Sequence, residues 1–298
     1  MTLAELFPDD DYKFQLRFER GSPADFFAPT ARHAELIAER KHWLRAEPEK
    51  YSALLASGAA LLTEALELAR EWSGFGAAAS DPAGWSSSFS LSGGTLKREL
   101  QRKRAGSETG APPTSELLAL GEFWEADSLL LKPDEAGEIR LLGGCLCFPS
   151  SWRLSDKIGQ PIEFIHSPVP GLNASIGAGI HKFLANLKPG VASLRHNWGM
   201  TRSPEMNHHP DRKLPRLDAT AQESEVWLRV EHQALVALPE SGGILFGIRV
   251  VNHSLAEVKA DAVAKTRLIR ALETMPEAMA VYKGIATARS QITKLLGE

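Results

Sequence analysis

The feature that most constrains the fold is a series of five short apolar and β-branched runs in the second half of the chain. They span residues 128–132, 139–148, 192–200, 225–238 and 243–251. Runs of this length and composition are typical of strands. A helical pattern over residues 174–187 separates the second run from the third. The series therefore predicts one mostly antiparallel sheet with a helical insertion after its second strand.

Helical patterns flank this predicted sheet on both sides. Over residues 29–75, apolar residues recur every three to four positions, and Pro48 divides the pattern into two helices. Gly, Ala, Ser, Pro and charged residues dominate residues 76–114, which predicts a long loop. A capping-box pattern begins at Ser254, and Pro276 is placed to begin a second C-terminal helix. The whole predicts an α+β fold with helical N- and C-terminal elaborations.

The length of 298 residues allows either one large domain or two small ones. We divide the chain into a helical N-terminal region over residues 1–114, a sheet core over residues 115–253 and C-terminal helices over residues 254–298. A short helix near residues 115–124 opens the core. We expect the three parts to pack as one compact unit.

Composition argues against several broad classes of function. The net charge of -3 gives no general attraction for nucleic acid. The sequence has no secretory signal pattern and no apolar stretch of ~18 residues, so no membrane segment is predicted. Cys145 and Cys147 are expected to be small core side chains, because their spacing on a strand does not favour a disulfide. We therefore expect a cytoplasmic protein.

An ordered set of short motifs runs from residue 147 to residue 284. In order they are Cys147-Phe148-Pro149-Ser150-Ser151-Trp152, Lys157-Ile158-Gly159, Ile165-His166-Ser167-Pro168-Val169-Pro170-Gly171, Arg195-His196-Asn197-Trp198, Leu228-Arg229-Val230-Glu231-His232-Gln233, Leu238-Pro239-Glu240-Ser241-Gly242, Phe246-Gly247-Ile248-Arg249 and Tyr282-Lys283-Gly284. This set resembles the alpha subunit of heme-dependent oxidative N-demethylases. One departure is His232, where the family pattern more often has Arg.

The resemblance implies a PAS-like fold, a bound heme b and a monooxygenase reaction with O2. In that reaction a methyl group is removed from a small secondary amine, such as dimethylamine, and released as formaldehyde. Such systems take electrons from NADPH through flavin and iron–sulfur cluster carriers on companion subunits. This chain lacks the carriers, since residues 177–182 only begin like G-x-G-x-x-G and two cysteines cannot supply Cys₄ ligation. Reductase subunits in a hetero-oligomer are therefore expected.

Heme iron needs an axial donor, and the resemblance favours His166. Two prolines follow His166 and restrict the backbone, which would hold the imidazole in a defined position. The alternative role for His166 is a hydrogen bond to backbone that pins the turn. His181, on the following helix, is the second candidate for the axial ligand. The neighbouring pair His208-His209 lies in a loop rich in Pro and charge and is expected to face solvent.

Polar residues share one face of two predicted strands. Arg229, Glu231 and Gln233 alternate with apolar residues, and Arg195 and Asn197 alternate in the same way. A polar face usually meets solvent. The motifs cover these same positions, however, and this favours the wall of a pocket.

The resemblance and the residue types together suggest roles for this pocket. Arginine pairs well with carboxylates, so Arg195, Arg229 and Arg249 are candidates for the heme propionates. Trp198 is a further candidate heme contact. Glu231 and Asn197 are the candidate catalytic residues. Glu231 either holds a protonated amine or pairs with an arginine.

Three functions remain open from the sequence. The first is an oxygen-dependent amine demethylase. The second is a PAS-like heme-binding sensor or carrier without turnover, because a fold does not fix a function. The third is a heme-free interaction subunit.

Overall fold

A computed structural model of the chain describes residues 2–14, 17–72 and 114–298. Within these residues, helices surround a seven-stranded antiparallel sheet, so the predicted α+β fold with helical elaborations is confirmed. The predicted loop over residues 76–114 lies almost wholly outside the described residues. In the described ranges, no helix has the length and apolar character needed to cross a membrane.

All neighbouring strands of the sheet are antiparallel, in the order β1-β5-β6-β7-β3-β4-β2. The strands are β1 (Glu19–Gly21), β2 (Ser52–Leu54), β3 (Asp127–Pro133), β4 (Ile139–Cys145), β5 (Ala192–Thr201), β6 (Trp227–Leu238) and β7 (Gly243–Ser254). The five longer strands are the five that the sequence predicts. Numbered among themselves in chain order, they lie in the order 2-1-5-4-3, with the helical insertion between the second and third.

Eleven α-helices lie in the described ranges. They are α1 (Pro23–Phe27), α2 (His33–Ala46), α3 (Pro48–Tyr51), α4 (Ala59–Trp72), α5 (Ser115–Phe123), α6 (Ile162–His166), α7 (Leu172–Leu184), α8 (Leu255–Ala260), α9 (Ala262–Thr274), α10 (Glu277–Tyr282) and α11 (Arg289–Gly297). The pair α6 and α7 forms the insertion between β4 and β5. Helix α6 also contacts β4.

Local sequence explains where several helices begin. Ser254 accepts a hydrogen bond from the amide of Glu257, and the Glu257 carboxylate accepts one from the amide of Ser254, which completes the predicted capping box of α8. Pro276 immediately precedes α10, as predicted. Gly171 stands at the start of α7 with a φ of 72°, a conformation that glycine adopts without strain.

The hydrophobic core has two parts. The first lies between the sheet and the N-terminal helices and includes the fully buried Leu61, Leu130 and Leu245. The second lies where the C-terminal helices cover one face of β5 and β6, and includes the fully buried Leu228 and Leu272. Because this face of β5 and β6 is covered by the C-terminal helices, their polar residues point to the other face.

A buried ion pair fixes the segment that follows β4. Nη1 of Arg40 lies 2.6 Å from Oδ1 of Asp127, and both side chains are fully buried. The carboxylate of Asp127 also accepts hydrogen bonds from the backbone amides of Cys147 (2.6 Å) and Phe148 (3.0 Å). These contacts draw the chain out of the sheet, and β4 therefore ends at Cys145, before the predicted end at Phe148.

Both cysteines are buried free thiols in the core, as predicted. Burial raises the pKa of the Cys145 thiol to about 12 and raises that of Cys147 well above its ordinary value. Both thiols therefore stay protonated, and a protonated thiol is a poor metal ligand.

Candidate functional site

Five polar side chains lie together on one face of β5 and β6. The strands pair so that Asn197 lies opposite Glu231 and Arg195 lies opposite Gln233. Directly paired residues point to the same face of a sheet, and Arg229 shares that face because it lies two residues from Glu231. The structure thus brings together five of the residues that strand periodicity had singled out.

The carboxylate of Glu231 is held by three hydrogen-bond donors. Oγ of Ser150 lies 2.6 Å from Oε1 of Glu231. Nε2 of Gln233 and Nδ2 of Asn197 lie 2.9 and 3.3 Å from Oε2. Ser150 belongs to the motif after β4, but nothing in the sequence pattern places it beside Glu231, which is 81 residues away.

The guanidinium of Arg229 is buried and donates hydrogen bonds to backbone carbonyls of the chain. Its Nη2 donates to the carbonyls of Phe148 and Met206, at 2.8 Å each, and its Nε donates to Oγ of Ser150 at 2.9 Å. Burial lowers the pKa of Arg229 to about 10, which still leaves it charged at neutral pH. Its contacts join two loops to the sheet and leave little donor capacity for an external anion.

The side chain of Arg195 differs from that of Arg229 because its guanidinium makes no hydrogen bond or ion pair with any other described residue. Its guanidinium lies 5.9 Å from the ring of Phe18, which stacks on Phe183 of α7 at 3.7 Å. Burial lowers the pKa of Arg195, and the carboxylate of Glu231 opposes that effect. Its donors are therefore available to an anionic ligand.

His166 is the last residue of α6, and its partly buried imidazole has no hydrogen-bond partner among the residues that the structure describes. Burial, together with the charges of Arg195 and Lys157, lowers the pKa of His166 to about 4. The imidazole is therefore neutral at pH 7 and able to bind a metal. In contrast, Nε2 of His181 forms a close contact with Oε1 of Glu163.

Positive charge exceeds negative charge around Glu231. Lys157, Arg195, Arg229 and Lys283 all interact electrostatically with this carboxylate. Four cations and one anion give a net charge of about 3 positive units for this group, a balance that attracts an anionic ligand. Sequence reasoning gave no role to the two lysines, although both lie in the motifs that carried the resemblance.

The comparison with known families decides which protein group this site belongs to. Residues 19–293 match the family model described as "Haem-dependent oxidative N-demethylase, alpha subunit-like". The chain belongs to this family. The match covers all seven strands and the helical insertion, so the resemblance inferred from the motifs is confirmed.

The side chains on this face fit the heme that the family description names. A neutral imidazole with no partner among the described residues suits heme iron, because the porphyrin supplies the four equatorial ligands and a single protein donor suffices. The described residues contain no cluster of three or more His, Cys, Asp or Glu arranged as metal ligands. Gly199 lies on the same strand face as Asn197, and a Cβ built there would meet no atom within 4 Å. The face thus has both suitable donors and open space.

Trp198 and Arg249 lie on the opposite face of the sheet from Arg195. Trp198 packs edge-on against Phe7 at 5.2 Å, within the C-terminal part of the core. Arg249 donates to backbone carbonyls at the end of α1 and lies 3.3 Å from the carboxylate of Glu125. The structure does not bring these two residues to the cluster, because strand alternation turns them the other way.

The expectation that His208 and His209 face solvent is wrong. Their exposed fractions are 8% and 3%. The amide of His208 donates to the carbonyl of Pro149 at 3.1 Å, and the ring of His209 packs edge-on against Tyr51. The Pro-rich loop is therefore held against the segment after β4, which composition alone does not indicate.

Proposed function

We propose that this chain binds heme b and uses it in the oxygen-dependent oxidative N-demethylation of a small secondary amine, with release of formaldehyde. The observation that carries this proposal is that the neutral imidazole of His166 lies close to the guanidinium of Arg195, on the face that holds Glu231, and that neither group is paired with any residue of the described ranges. Family membership supports the class of reaction.

In this proposal, His166 is the axial ligand of the iron and Arg195 pairs with a heme propionate. Lys157 is a second partner for a propionate, since its ammonium lies 4.2 Å from the ring centroid of Trp152 and makes no ion pair with the described residues. The bound heme supplies the oxidising chemistry, while the protein orients the substrate. We take residues 115–253 as the heme-binding core.

Glu231 and Asn197 hold the amine in the same proposal. An aliphatic amine is protonated at neutral pH, as a lysine side chain is, and a buried carboxylate is its natural partner. A carboxylate accepts about four hydrogen bonds, and the three donors around Glu231 leave room for one from the substrate. Asn197 fixes the carboxylate through its Nδ2 and keeps its amide oxygen for the ammonium.

Electrons must reach the site from other proteins. The two cysteines are buried and cannot ligate an iron–sulfur cluster, and the family description refers to an alpha subunit. We propose that NADPH, flavin and an iron–sulfur cluster belong to companion reductase subunits, and that the complex is a cytoplasmic hetero-oligomer.

The test uses the purified full chain supplemented with heme. We expect a heme absorbance band that shifts when dimethylamine is added. We expect formaldehyde release once NADPH, oxygen and a reductase partner are supplied. A protein that takes up no heme would instead be an interaction subunit. A heme band with no amine response and no formaldehyde would indicate a sensor or carrier.

A further inference from the structure

The hydroxyl of Ser150 has two partners, and their chemistry fixes the direction of both hydrogen bonds. Nε of Arg229 lies 2.9 Å from Oγ of Ser150, and Oε1 of Glu231 lies 2.6 Å from it. Arginine can only donate, so Ser150 accepts from Arg229. The single hydroxyl hydrogen of Ser150 therefore points toward Glu231, and Ser150 donates a hydrogen bond to its carboxylate.

The other oxygen of Glu231 also meets donors. The amide nitrogens of Gln233 and Asn197 both approach Oε2. All three neighbours therefore donate to the carboxylate. The three donors approach both oxygens and so fix the orientation of the carboxylate.

The position of Ser150 is itself anchored by buried groups. Arg229 is 4% exposed and is held by the carbonyls of Phe148 and Met206. The carboxylate of Asp127 binds the amides at the start of the same segment. Ser150 thus sits on a rigid support and has little freedom to redirect its hydroxyl.

We infer that Ser150 is a positioning residue, which links the buried Arg229 guanidinium to Glu231 and keeps this carboxylate oriented for a protonated amine. The inference rests on the proposed function, because it takes Glu231 as the amine-binding group.

The experiment compares Ser150→Ala, Ser150→Thr and the matched control Ser155→Ala in the heme-loaded full chain. Ser155 is exposed and lies outside the Glu231 network. Dimethylamine is titrated into each protein at pH values from 5 to 9. Binding is measured by the change in the visible spectrum and by calorimetry. Heme content and melting temperature are measured in parallel.

We expect Ser150→Ala to weaken dimethylamine binding by about tenfold, equivalent to about 1.4 kcal/mol, with heme content unchanged. Ser150→Thr keeps the hydroxyl and should restore the affinity for dimethylamine. Ser155→Ala should match the wild type.

Two results would overturn the inference. The first is a Ser150→Ala protein with a lower melting temperature but an unchanged amine affinity, which would make Ser150 only structural. If Ser150→Ala does not fold, Ser150→Cys is used instead. Because a thiol is a weak donor, the affinity of Ser150→Cys for dimethylamine should be lower than that of the wild type but higher than that expected for alanine. A wild-type affinity in Ser150→Cys would contradict the inference. The second result is a wild-type chain that shows no response to dimethylamine, whether or not it binds heme. That outcome refutes the proposed function itself, whereas the first refutes only the role of Ser150.

Discussion

Nδ1 of His196 and Nδ1 of His232 lie 3.0 Å apart, across the β5–β6 pair and on the face opposite Glu231. At this distance one imidazole donates and the other accepts, so only one of the two Nδ1 atoms carries a proton. Arg249 lies beside His232 on β7. Burial, together with electrostatic interactions with His196, His253 and Arg249, lowers the pKa of His232 to about 4.

This pair should make the protein sensitive to acid. The pKa of His232 is about 4 in the folded state against an ordinary value of 6.5, so between these values the unfolded chain binds more protons. Stability therefore rises with pH across that window and falls as the pH is lowered from 6.5 to 4. Burial also lowers the pKa of His166 and of His208 to about 4, which adds to the same trend. Melting temperatures measured from pH 4 to pH 7 should show the slope.

The control for the pH dependence is His232→Gln. Glutamine can still hydrogen-bond to His196 but does not titrate, so the slope of melting temperature against pH should become shallower. An unchanged slope would show that His232 does not contribute.

Replacement of His166 should separate the two candidate heme ligands. We expect His166→Ala to lose heme or to change its axial coordination, because the free imidazole is removed. The matched change His181→Ala should keep the heme spectrum, since His181 is paired with Glu163. Resonance Raman spectroscopy of the iron–histidine bond decides between them. Unchanged histidine ligation in His166→Ala would move the assignment to His181.

Arg195→Ala and Arg249→Ala form a matched pair on opposite faces of the sheet. Loss of a charge-assisted contact to a propionate costs about 1.5–3 kcal/mol, so Arg195→Ala should lower heme affinity by tenfold or more. Arg249→Ala should leave heme affinity unchanged and reduce stability, because it breaks contacts with α1 and Glu125. Heme titration and thermal melts test both. Equal heme affinities in the two variants would contradict the role given to Arg195.

Glu231→Gln keeps the shape of the side chain and removes its charge. If Glu231 holds the protonated amine, heme content should stay unchanged. The dimethylamine concentration that produces the spectral shift should then rise by about tenfold or more. The test is a spectral titration beside a thermal melt. Lower stability with unchanged amine affinity would instead mean that Glu231 serves only to offset the neighbouring cations.

Arg229→Met should act on stability more than on heme. The substitution removes the donors to the carbonyls of Phe148 and Met206 and the partner of Ser150, all of them in a buried region. We expect a loss of about 3 kcal/mol or more in the free energy of unfolding. Arg195→Met makes the same change at an arginine without such contacts and should cost less. Denaturant unfolding of both proteins compares them, and a larger loss for Arg195→Met would contradict this assignment.

Local periodicity was enough to predict much of this fold. Short apolar and β-branched runs located the five long strands. Alternation within β6 placed Glu231 with Arg229 and Gln233 on one face, because side chains alternate strictly along a strand. The capping box at Ser254 was equally readable, since its hydrogen bonds join residues three apart. Strands β1 and β2 are only three residues long and carry no such pattern.

The sequence by itself determined which residues share a strand face, because that depends on neighbours along the chain. Only the tertiary structure decided which face meets which partner. It turned Arg249 of β7 away from Arg195 of β5, and it buried His208 against a segment nearly 60 residues earlier in the chain. It also brought Ser150 to Glu231 across 81 residues. Contacts of this kind arise from strand order and loop packing, which no local pattern in the sequence encodes.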